Sequence, residues 1–312
     1  MKQIGSSLKP YLRWVILVGV LFFLGKALNA NAAEIAAIRI DNKGWIYLAI
    51  ALILTLFANA FAGWVWSLIF KEFKYPLRRL WAIQIYLKTT IAKYLPGNVW
   101  HFYGRISSVT AVGVPAPTAT LCVLLEPVLM GAAALVLVLV GSQLYQGLAQ
   151  NFNLLNWQVF CLVGVLIVLH PRFLNPLLQV LGKFNGKGKN STTVERATWE
   201  IEAYPLIPLL GEIGFLGLRS LGFLLVFLAL TSVTLNQIPL LLSAFNLAWL
   251  SPALLPAAPG GIGVFEATAI ALLDQSFSPG IVLSVVAIYR LISILAEAVA
   301  AGIASLHKRK IQ

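Results

Sequence analysis

Charge is what this 312-residue chain has least of: only 11% of its residues are Asp, Glu, Lys or Arg, against about a quarter in soluble domains. With 59% hydrophobic residues and a mean hydropathy of +0.86, a soluble fold is excluded. Cysteine is scarce too. Cys122 and Cys161 lie inside apolar runs with no partner at metal-ligand spacing, so neither a disulfide framework nor a zinc site is expected. There is no HExxH, and His101, His170 and His307 are scattered, so no metal site is expected. The chain also lacks a GxSxG elbow, and only Asp41 and Asp274 are available for an aspartyl pair. Glu126 and Glu266 suit acid–base work, but no nucleophile accompanies them, and the chain is not expected to be an enzyme. No cofactor motif or ATP-binding P-loop is present, so no cofactor is expected, and uphill transport would need an ion gradient or another protein.

The charge that is present is lopsided, with 23 Lys and Arg against 11 Asp and Glu, a net +12. Nucleic-acid binding is not expected, because the basic residues cluster at the ends of apolar runs, as in the cytoplasmic loops of membrane proteins. Runs of about 20 apolar residues suffice to cross a hydrocarbon core of about 30 Å. Six occur here, over 11–28, 45–70, 117–140, 154–170, 205–233 and 281–306. Preceded by Lys2, Lys9 and Arg13, the first has the form of a signal peptide or of an uncleaved helix; its continuation through Lys26 to Leu28 favours the helix. One loop carries Lys71, Lys74, Arg78 and Arg79, another Arg172, Lys183, Lys187, Lys189 and Arg196, while 142–153 carries no charge. Both termini and the two basic loops are therefore expected in the cytoplasm of a prokaryotic plasma membrane.

Two apolar segments do not read as simple spans. One, 80–105, holds Lys88, Lys93 and the break Pro96-Gly97; the other, 238–274, is split at Pro259, Gly260, Gly261 and Gly263. Pro removes an N–H and Gly tolerates close approach, so the chain is expected to leave helical form there. Counting spans makes the first segment enter and leave on the cytoplasmic face and the second on the opposite face. The expected fold is one all-α integral domain over 1–312, with about six full spans and two re-entrant helical hairpins. The hairpins fall in an inverted repeat, first half about 45–140 and second about 205–306.

An ionisable side chain inside a span costs about 2.5 to 3.5 kcal/mol on insertion scales and needs an internal partner or a wet cavity. Candidates are Lys93, Arg105, Glu126, Glu212, Arg219, Glu266, Arg290 and Glu297. Aligning the two Pro-Gly pairs sets Arg105 and then Glu126 against Glu266 and then Arg290, with the signs exchanged. Glu212 and Arg219 are seven apart, two helical turns on one face, and Arg290 and Glu297 repeat that spacing. The sequence leaves open whether pairing runs within or across the halves, and whether the charges bind substrate or only lock helices together. Around the first break, Tyr94, Trp100, Phe102 and Tyr103 surround Lys93, His101 and Arg105, which suits a headgroup-level belt where cations meet a lipid phosphate.

The stretches KTTIAKYLPGNVWHFYGR (88–105) and LPAAPGGIGVFEA (255–267) resemble signature segments of the lysylphosphatidylglycerol synthase transmembrane-region family, also described as flippase-like. The resemblance extends through most of the chain. It implies a lipidic substrate, since the membrane region of the multiple peptide resistance factor is associated with exposing aminoacylated phosphatidylglycerol on the outer leaflet. Other members occur beside hopanoid or glycolipid pathways, which implies membrane lipids as partners and a partner enzyme of lipid or glycolipid synthesis. The sequence ends at Gln312 without an aminoacyltransferase region, so synthase activity is not expected. The resulting expectation is translocation or handling of an anionic or isoprenoid/glycolipid-type lipid, with secondary transport of a small solute as the alternative.

Overall fold

In a lipid solvent apolar side chains gain little by meeting one another, so helices associate where small residues let backbones approach. The long first helix, α1 (Asn42–Glu72), shows the pattern: Ala51, Thr55, Ala58, Asn59, Ala62 and Gly63 are buried, while Trp45, Ile46, Ile50, Ile53 and Phe57 are exposed. Its N-terminus is closed by Asp41, whose Oδ1 accepts from the Gly44 N–H at 2.6 Å. That gives Asp41 a capping role.

A computed structural model describes residues 39–94, 99–145, 152–176, 204–254 and 263–306. After α1 come α2 (Arg79–Thr90), a 3-10 turn (Ile91–Tyr94), α3 (Trp100–Thr110), α4 (Ala116–Leu144) and α5 (Phe152–Val168). The second half holds α6 (Leu206–Leu230), a 3-10 turn (Leu235–Gln237), α7 (Ile238–Leu254), α8 (Val264–Leu273) and α9 (Pro279–Leu306). Among the described residues α1, α4, α6 and α9 are long and apolar enough to cross a membrane. The helix α5, at 17 residues, is at the short end of that range. The expected span over 11–28, the breaks at Pro96, Gly97 and Pro259 to Gly261, and His307 lie outside the described residues. Each segment read as a broken hairpin consists of two helices packed on each other, α2 on α3 and α7 on α8.

The pair α1 and α6 packs more extensively than any other. Around it α2 lies on α1, α3 on α4, α4 on α6 and α7, and α9 on α1 and α2; α7 lies on α6 and α8 on α9. Exchanging α1–α4 for α6–α9 leaves this set of neighbours unchanged. One core gathers Trp66, Phe70, Tyr86 and Leu129 from α1, α2 and α4, and the other gathers Phe223, Phe245, Phe265 and Tyr289 from α6 to α9.

Two glycines make the central approaches. A Cβ on Gly63 would lie 2.8 Å from the Ile83 Cα, and one on Gly211 2.7 Å from Val65 Cγ2. Gly63→Val should therefore push α2 off α1 and cost about 1–3 kcal/mol, as overpacking does, lowering the unfolding midpoint in detergent. Gly217→Ala, where a Cβ meets nothing within 4 Å, should leave the midpoint unmoved; equal midpoints for both variants would count against this packing.

Candidate functional site

The buried stripe of α2, Ala82, Tyr86 and Thr90, repeats every four residues and so shares one helical face. It receives Arg105 from α3. The Arg105 guanidinium meets Glu126 of α4, Nη1 to Oε2 at 2.6 Å, and donates from Nη2 to Thr90 Oγ1 at 3.2 Å and from Nε to Thr89 Oγ1 at 3.4 Å. Tyr86 donates its hydroxyl to Glu126 Oε1 at 2.7 Å, and its ring lies 3.7 Å from the guanidinium carbon. Arg105 is only 4% exposed. The sequence reading set it both in an aromatic headgroup belt and, with Glu126, among the buried charges; the helical turn from Trp100 carries it into the bundle and leaves Trp100 and Tyr103 exposed.

The second half repeats the arrangement with the signs exchanged. Glu266 of α8 accepts from Arg290 Nε of α9 at 2.5 Å, and its other oxygen accepts the Gly263 N–H. Gly263 has φ +86, a left-handed conformation that glycine adopts without a Cβ clash. One carboxylate thus caps the helix after the second break and holds α9 beside it. Both pairs form within a half; a third pair crosses between halves. Lys93, in the 3-10 turn before the first break, reaches Glu297 of α9, Nζ to Oε1 at 2.6 Å.

Between these pairs lie two groups that are not matched. Arg219 of α6 is 2% exposed, lies 4.9 Å from the Trp249 ring and 5.4 Å from the Tyr289 ring, and donates from Nη2 to Ser293 at 3.2 Å. Among the described residues its Nε and Nη1 have no hydrogen-bond partner, nor has either carboxylate oxygen of Glu212, which is 1% exposed. The two sit on one face of α6 but form no ion pair with each other. Arg290 and Glu297, spaced likewise, turn to different partners. Lys93 is within electrostatic reach of Glu297, Arg219 and Arg290, and Glu212 of Glu126 and Arg105. These buried charges make up the candidate seam.

Sequence reading missed Tyr86, Thr89 and Thr90, which wrap Arg105, and Trp249, Tyr289 and Ser293, which hold Arg219. The signal was present on α9, where Tyr289, Ser293 and Glu297 recur every four residues and are all buried. Among the described residues no cluster of His, Cys, Asp or Glu is placed to hold a metal ion.

Apolar side chains outside and charges inside define a polytopic α-helical membrane protein. A family model described as the lysylphosphatidylglycerol synthase TM region matches residues 11–301, nearly the whole chain, and the chain belongs to that family. This is a membrane domain associated with lipid handling. No curated protein matches the chain.

Removing one member of a buried pair strands the other. Glu126→Leu should cost about 3–5 kcal/mol in unfolding free energy, and Arg105→Met added to it should recover most of that loss. Denaturation in detergent reads both; a double variant no more stable than the single would contradict the pairing.

Proposed function

We propose that the protein translocates or otherwise handles a membrane lipid in a flippase-like manner, its headgroup entering the charged seam while its tails stay in the bilayer. The observation that carries this reading is the unmatched pair of buried groups, Arg219 and Glu212. Charges kept only to lock helices gain nothing by lacking partners, because an unpaired buried charge is strongly destabilising. A guanidinium with two of its three nitrogens unbonded keeps donors for an anionic oxygen, and a hydrogen bond to a charged acceptor is a strong one. Lys93–Glu297, a pair that joins the halves, is partly open at Lys93, whose side chain is 24% exposed.

The unchanged neighbours on exchanging α1–α4 for α6–α9 support an inverted repeat whose two hairpins enter from opposite faces, the arrangement that lets a central site open to each side in turn. On this reading the protein catalyses no covalent step. It lies in a prokaryotic plasma membrane with both termini cytoplasmic, and a partner enzyme of lipid or glycolipid synthesis supplies an anionic or isoprenoid-type cargo.

Proteoliposomes carrying fluorescent phosphatidylglycerol test the reading through dithionite-accessible exchange between leaflets. Arg219→Ala should slow exchange about tenfold or more, the loss of hydrogen bonds to a charged group. Unaltered exchange in Arg219→Ala and in Glu212→Gln, at matched protein content, would remove the seam from the lipid path; uptake of a soluble anion in its place would support the solute-transport reading.

A further inference from the structure

A second place for a ligand lies at one end of the bundle. A cavity of about 1230 Å³ is enclosed by the connection between α1 and α2, one stripe of α2, the turn between α3 and α4, and the last turns of α9. Its walls are apolar, with Trp81 and Leu87 from α2, Val112 from the turn and Ile303 from α9; its rim is cationic, with Lys74, Arg78 and Arg79. No acidic residue is among the described residues lining it. Arg78 and Arg79 are exposed and form no ion pair among the described residues. Adjacent cations with no counter-charge repel one another unless an anion lies between them. The seam is separate: α2 turns Leu80, Gln84 and Leu87 to the cavity and Ala82, Tyr86 and Thr90 to the Arg105–Glu126 pair.

We infer that this cavity binds one anionic phospholipid of the adjacent leaflet, its phosphate between Arg78 and Arg79 and its upper acyl chains against Trp81, Leu87 and Ile303. Position and chemistry both select a lipid. The cavity lies where two spanning helices end, α1 at Glu72 and α9 at Leu306, which is headgroup level for helices of this length. A soluble phosphate compound would leave the apolar wall unused, while basic pockets between membrane helices suit anionic headgroups. The inference is independent of transport through the seam, because binding here needs neither Arg219 nor Glu212.

Native mass spectrometry of the full chain in detergent, titrated with phosphatidylglycerol and with phosphatidylcholine of the same chains, tests it. Arg78→Ala with Arg79→Ala should weaken phosphatidylglycerol binding about thirtyfold, the contribution of two basic side chains near an anionic headgroup, and leave phosphatidylcholine binding unchanged. Val112→Trp, at an exposed position of the apolar wall, should lower occupancy with every charge kept. Arg39→Ala with Lys43→Ala, exposed at the other end of α1, should bind as wild type. Equal binding in all four proteins, an equal loss in the Arg39 and Lys43 variant, or equal affinity for the two lipids would each overturn the assignment.

Discussion

Lys93 and Glu297 meet at 2.6 Å across the boundary between the two halves, and with Arg105–Glu126 and Glu266–Arg290 this pair sets where the ionised side chains of the interior lie. In the hydrocarbon core a charge has no water to return to. Every ionised side chain on a spanning helix therefore fixes the position of whatever can neutralise it. Arg105 needs α2, α3 and α4 together, because its donors are shared among Thr89, Thr90 and Glu126. Glu266 ties the chain after the second break to α9. Lys93 then ties the chain before the first break to the same helix. Both broken segments are thus fastened to their surroundings through ion pairs as well as through the apolar cores that Tyr86, Phe245 and Phe265 join.

Such pairs are a weak source of net stability, since the cost of removing both ions from water offsets much of their attraction. Their value lies in specificity and in polarity where a bilayer otherwise offers none. The small-residue contact of α1 with α6 supplies the close packing, with Gly211 against Val65 and Gly44 against the Ala229 carbonyl among its close points. Arg219 and Glu212 depart from the rule of full satisfaction, and they lie on α6, the helix that shares this central contact. A rigid scaffold carrying an unsatisfied centre is the arrangement expected of a binding site.

The spanning helices α1, α4, α6 and α9 were legible in the sequence because a bilayer imposes length and apolarity on each one, and the pairs α2–α3 and α7–α8 because Pro and Gly separate their helices. The exchange of signs between Arg105–Glu126 and Glu266–Arg290 was legible from spacing alone. Partner choice was not. Arg290 and Ser293 are close in sequence, yet one turns to α8 and the other to Arg219 of α6, because each residue rotates the direction by about 100°. Arg105 read both as interfacial, from its aromatic neighbours, and as a buried charge, from its place before Glu126; the packing of α3 on α2 and α4 turns it inward. Nor does the order of residues announce the cavity, whose wall joins Trp81 to Ile303.

The central claim is that the seam serves passage as well as assembly. The most direct measurement is leaflet exchange of fluorescent phosphatidylglycerol by a Lys93→Met, Glu297→Leu double variant, with its unfolding midpoint determined on the same preparation. Removing both charges together should leave the midpoint near that of wild type while exchange falls to the rate of protein-free vesicles. Wild-type exchange in a stable double variant would contradict the claim and leave the pair as a helix lock.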